Sequence, residues 1–127
     1  EVRLLVLAGG ELTPAAAGEI RSHSAGAADV RLLVPVQSRR IDRWLSATDA
    51  ARHDAQDMLA RSAGALVAAG LPVSGSLGDG DPVQALEDEL RSYPADEVVW
   101  VPGPREAEPS AAVRERLGIP LTVVRAD

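Results

Sequence analysis

The stretch Val2-Arg3-Leu4-Leu5-Val6-Leu7-Ala8, closed by Gly9-Gly10, decides how the rest of the chain is read. A short, nearly continuous apolar run that ends at glycine predicts a strand buried on both faces, as in the interior of a parallel sheet. Thr13-Pro14 follows, a capping side chain with proline at the first helical position, and opens a helix to about Ser24. Arg31–Val36 is a second apolar run, in which Pro35 lacks a ladder donor and so marks the strand's end or a lost pairing.

Residues 48–69 carry the clearest periodicity. Ala51, Ala55, Met58, Leu59, Ser62, Leu66 and Ala69 fall three or four apart and make one helical face, while Arg52, His53, Asp54, Asp57 and Arg61 mostly lie elsewhere around it. Ser46 or Thr48 caps the start and Gly70 ends the helix. A third strand, Leu71–Leu77, leads into the turn Gly78-Asp79-Gly80. Asp81-Pro82 then opens a helix whose inward stripe is Val83, Leu86 and Leu90. The fourth strand is Asp96–Val101, closed by Pro102-Gly103-Pro104. Ser110 caps a short last helix ending at Gly118, and Ile119–Arg125 is the fifth strand.

Apolar strands alternating with amphipathic helices predict an α/β fold, a doubly wound five-stranded parallel sheet with helices on both faces. Right-handed crossovers give it the Rossmann-like order 3-2-1-4-5. The length of 127 residues suits a single α/β domain spanning residues 1–127.

Composition removes several classes of function. Without cysteine there is no disulfide scaffold, zinc thiolate site or cysteine nucleophile. All thirteen basic residues are arginine, so neither a lysine Schiff base nor a phosphate loop ending in GK[ST] is available. The net charge of −6 and the three aromatics, Trp44, Tyr93 and Trp100, argue against nucleic acid and an anionic membrane as partners. No apolar run approaches the roughly 20 residues that span a bilayer. The opening residues show no basic leader, and a cytoplasmic location is the default expectation.

The strand order reverses between strands one and four, where an open parallel sheet places its ligand crevice. The strand ends there are Ala8-Gly9-Gly10 and Val101-Pro102-Gly103, and their glycines either bring a ligand to backbone N–H groups or simply turn the chain. The Gly78–Asp81 loop precedes a helix N-terminus, yet Asp79 and Asp81 repel phosphate unless a cation intervenes. Its plainer reading is a tight turn with an aspartate cap, completed by Gln84 in a capping-box-like pair. Two carboxylates are too few for a hard metal ion, and no metal site is expected. His23 and His53 sit on helix faces and read as surface histidines. Arg39, Arg40 and Arg43 beside Trp44 form the one basic cluster, a phosphate contact or a solvated loop. Trp100 reads as core.

The whole chain resembles the universal stress protein family. The resemblance is carried by the opening VRLLVLA, the Gly78-Asp79-Gly80-Asp81-Pro82 turn into Val83-Gln84-Ala85-Leu86, the Ala95-Asp96-Glu97-Val98-Val99 strand, and the closing Ile119-Pro120-Leu121-Thr122-Val123-Val124-Arg125. It implies the same 3-2-1-4-5 sheet and a homodimer paired through the last strand, here Leu121, Thr122, Val123 and Val124. Members of that family that bind ATP place an aspartate at the end of the first strand and a G-x2-G-x9-G-[ST] motif after the fourth. This chain has Ala8-Gly9 at the first position, and after Gly103 its next glycine is Gly118. Only Gly103 and Ser110 carry over. Pro104 and Pro109 remove N–H donors, and Glu106 and Glu108 add negative charge where phosphate would sit.

Three readings follow. The first is a non-catalytic domain that does not bind ATP, has no cofactor, and acts by dimerising and contacting other proteins. The second is an adenine-nucleotide sensor taking ATP or AMP with Mg2+ at a modified site. That site is lined by Gly9, Gly10, Pro35, Val36, Gly78, Asp79, Gly103 and Ser110, with adenine near Val36 and phosphates near Gly103. The third is an enzyme, for which the sequence offers no positioned base, nucleophile or charge-stabilising set.

Overall fold

A computed structural model describes residues 2–23, 27–36, 47–78, 80–103 and 106–125. Five strands and four helices alternate: β1 (Val2–Ala8), α1 (Pro14–His23), β2 (Ala27–Pro35), α2 (Ala47–Ala68), β3 (Val73–Gly78), α3 (Pro82–Ser92), β4 (Glu97–Val101), α4 (Ala111–Leu117) and β5 (Leu121–Val123). The strands form one sheet in the order β3-β2-β1-β4-β5, and every pairing is parallel. The expected doubly wound architecture is present.

Alternation along the buried strands divides the core between two faces. Leu4, Val6 and Ala8 of β1 point with Val30, Leu32 and Val34 of β2 into a layer closed by Ala16, Ala17 and Ile20 of α1 and Ala55 and Leu66 of α2. Leu5, Leu7, Leu33, Val98 and Trp100 point the other way, against Ala85 and Leu86 of α3 and Leu117 of α4. Because β1 supplies both layers, its side chains from Leu4 to Ala8 are all at most 1% exposed, which is why no polar residue interrupts that run. Trp100 is core as expected, although its indole N–H is buried without a hydrogen-bond partner among the described residues.

Local chemistry sets the helix ends. Thr13 Oγ1 accepts from the Ala16 N–H, and Asp81 Oδ1 accepts from Val83 and Gln84 ahead of α3. The Gln84 side chain does not follow the expected capping-box pattern; it donates forward to Asp88. Gly70 and Gly118, which end α2 and α4, hold φ of 92° and 71°, a left-handed conformation that a Cβ would oppose.

Strand boundaries depart from the sequence reading at three places. β2 begins at Ala27, four residues before Arg31, because β1 pairs with it from Val2 onward, across a register shift between Val2 and Arg3. β3 begins at Val73 rather than Leu71, since the Leu71 N–H is given to the Leu66 carbonyl and still belongs to the end of α2. β5 spans only Leu121–Val123, not Ile119–Arg125, with Ile119-Pro120 spent on the turn out of α4. Ser46 and the arginine cluster around Trp44 lie outside the described residues.

Candidate functional site

The carboxyl ends of β1 and β4 lie side by side, with Ala8 paired to Val101, and the chain leaves them in opposite directions. Gly9 donates its N–H to the Val101 carbonyl at 2.8 Å, so that donor is used by the protein's own backbone. Beyond β4 the Glu106 N–H donates to the Gly103 carbonyl at 3.1 Å, and this turn folds the Glu106 side chain back over the crevice. Its carboxylate lies against both glycines. A Cβ built on Gly9 would stand 2.6 Å from Glu106 Oε1, and one on Gly103 would stand 2.8 Å from the same oxygen. Gly103 is further confined by the Gly9 carbonyl, 2.9 Å from that Cβ position. The Glu106 carboxylate makes no hydrogen bond or ion pair among the described residues.

On the α2 side of the same strand ends lies a cleft of about 150 Å³, lined by Ala8, Gly9, Val34, Pro35, Ala51, Asp54, Ala55 and Met58. Two contacts clamp α2 over the sheet here. The Leu12 N–H donates to Ser62 Oγ at 3.1 Å, and Arg61 pairs with Glu11. Ser62 is the one polar residue among the described ones to be fully buried, and this bond explains its place in an otherwise apolar stripe. The charge and hydrogen bond of Glu11 raise the Arg61 pKa further above its ordinary value.

Of the candidate residues, Gly9 and Gly103 converge on Glu106, while Gly9 and Pro35 line the cleft. Val36 follows directly and gives its N–H to the Gly78 carbonyl. Gly78 is held by packing: a Cβ there would meet both Ala85 Cβ and Leu33 Cδ1 at 2.9 Å. Ser110 caps α4 by accepting from the Val113 N–H. Gly10 is half-buried beside Gly9. Asp79 lies outside the described residues.

A second polar group stands at the opposite end of the sheet. His23 Nε2 pairs with Glu97 Oε2, and Thr122 Oγ1 donates to the same oxygen at 2.7 Å. Acid and hydroxyl therefore meet the same imidazole nitrogen, Nε2. A nucleophile–base–acid relay needs them on its two different nitrogens, so this is a surface tie between α1, β4 and β5. His53 is exposed and faces Asp57 one turn along α2. No group of three or more histidine or acidic side chains suited to a metal ion occurs among the described residues.

No family model matches the chain, and no curated relative does. Solved structures do. A universal stress protein from Archaeoglobus fulgidus superposes with a TM-score of 0.69 at 13% identity, over 98% of this chain and 93% of that one. An Arabidopsis thaliana member of the same family, solved with AMP bound, gives 0.66 at 15% identity over 100% and 93%. A universal stress protein in complex with cAMP gives 0.58 at 17% identity over 99% and 98%. The chain has the universal stress protein fold. At this level of identity the likeness concerns the fold, and the site rests on this chain's own residues.

Sequence reading had placed Glu106 among the charges opposing phosphate, without its lodging between the two glycines. Asp54 it set off the apolar face. The spacing 51, 54, 55, 58 was the available signal, since it puts Asp54 on the margin of the inward stripe.

Proposed function

We propose that this chain is a non-catalytic domain of the universal stress protein fold that takes no nucleoside triphosphate and works through contacts with other proteins, including a second copy of itself. The carrying observation is the Glu106 carboxylate lodged against Gly9 and Gly103. Whatever binds across that crevice meets a negative charge and a backbone donor already in use, both unfavourable to phosphate. The neighbouring cleft, at about 150 Å³, suits a ring-sized group rather than a nucleotide. Self-association is supported by β5, an edge strand with β4 as its one neighbour, although its Leu121 carbonyl is already taken by Arg114 Nη1; it is followed by buried Val124.

Titration calorimetry with ATP and AMP, with and without Mg2+, tests the first half. No heat at millimolar nucleotide is expected, and micromolar affinity overturns it. Light scattering after size exclusion tests the second half, where a strict monomer across concentrations counts against pairing through β5.

A second reading, an adenine-nucleotide sensor with a modified phosphate site, has one observation in its favour. The cleft contains Gly9 and Pro35 from the candidate set, and two structures of the same fold were solved with AMP and with cAMP. In this chain it requires Mg2+ to neutralise Glu106, so nucleotide binding that vanishes with chelator would select it.

A further inference from the structure

We infer that the cleft between α2 and the carboxyl ends of β1 and β2 is a binding site for a small organic cation, an alkylammonium or amidinium on a short apolar body, with Asp54 as its counter-ion. This goes beyond the protein-contact reading and does not depend on whether β5 pairs.

The argument begins with the lining. Ala8, Val34, Pro35, Ala55 and Met58 give apolar walls, and among the described residues Asp54 is the only charged side chain in the lining. Cavities of about this volume admit benzene-sized molecules, which sets the size of the apolar body. The Asp54 carboxylate has no hydrogen bond or ion pair among the described residues. Its neighbours on α2 have other partners, His53 with Asp57 and Arg61 with Glu11, although Arg61 also feels the Asp54 charge.

Charge then selects the ligand. An anion entering the cleft is repelled by Asp54 and, across Gly9, by the second unpaired carboxylate, Glu106. A neutral ligand of the same shape gains nothing from the exposed Asp54 carboxylate. A cation adds a charge-assisted hydrogen bond to it while its hydrocarbon part fills the apolar walls.

Met58 is the only methionine, so methyl-labelled methionine gives one NMR resonance that reports on this cleft alone. The probes are n-butylammonium, n-butanol and butyrate at constant ionic strength. Butylammonium should move the resonance saturably, butanol about tenfold more weakly or less, equivalent to 1.4 kcal/mol, and butyrate not at all. Asp54→Asn should weaken butylammonium binding by about tenfold, and Glu106→Gln by a smaller factor, with the thermal midpoint of both variants unchanged. Three results overturn the proposal: equal affinity for butanol and butylammonium, unaltered binding in Asp54→Asn, or displacement of butylammonium by AMP.

Discussion

The two ends of the sheet differ in how they use acidic side chains. Toward the amino ends of the strands, the carboxylates of Asp29, Glu89, Asp96 and Glu97 have partners. Asp29 accepts from the Tyr93 hydroxyl, Glu89 from Arg31 and Ser76, Asp96 from the Arg3 N–H, and Glu97 from Thr122 and His23. At the carboxyl ends Glu11 pairs with Arg61, Asp81 caps α3 and Glu108 pairs with Arg125, whereas Glu106 rests against two glycines and Asp54 lines a cleft, neither with a hydrogen bond or ion pair among the described residues. Pairing at one end holds helices to the sheet. Unpaired charge at the other contributes little to folding and leaves chemistry available for a ligand.

The comparison can be broken most forcefully at Glu89. Its pair with Arg31 spans 2.7 Å with side chains only 12% and 28% exposed, and Arg31 also lies 4.7 Å from the centroid of the Tyr93 ring. Glu89→Ala should cost about 2 kcal/mol in urea unfolding, between the values for exposed and fully buried pairs. At the other end, Glu106→Ala should open the crevice and bring AMP binding into the millimolar range, a gain of about tenfold readable by calorimetry.

Tyr93 gives the next effect in size. Tyr93→Phe should lose about 1 kcal/mol at neutral pH with its bond to Asp29. Burial, with help from that bond, pushes the Tyr93 hydroxyl up to about 12 from an ordinary 10.0. The native chain therefore keeps this proton where the unfolded chain releases it. Its contribution to stability is whole below pH 10 and is lost as pH rises toward 12. Absorbance titration of the only tyrosine, beside unfolding curves over that range, checks the sign. The smallest changes belong to Asp54→Asn and Glu106→Gln, each expected within about 0.5 kcal/mol of the parent. A loss as large as that of Glu89→Ala at either position would erase the difference between the two ends.

Legibility in the sequence follows the same division. The sheet and its order could be read because β1 is buried on both faces and must be written in apolar residues, and because Thr13-Pro14 and Asp81-Pro82 announce helix starts by local chemistry. β5 was overextended, since Ile119 and Pro120 are as apolar as a strand but belong to the turn after Gly118. The site was legible only in part. Gly9 and Gly103 stood out as glycines after strands, but Glu106 meets them through the path of a loop, which no periodicity encodes. Asp54 takes its meaning from the strand ends beneath α2, a relation between residues 20 positions apart in Val34 and Asp54 and farther still from Ala8.

The crowding around Glu106 also bears on the order in which substitutions can be accepted. A methyl group on Gly103 meets the backbone carbonyl of Gly9 at 2.9 Å, so alanine is barred there whatever else changes. The atoms nearest a methyl group on Gly9 all belong to the movable end of Glu106. Position 9 is therefore conditional on position 106, and shortening that side chain removes the tightest contacts an alanine there would meet. The two positions form an epistatic pair in which the loop residue must change first, while Gly103 stays fixed through either history.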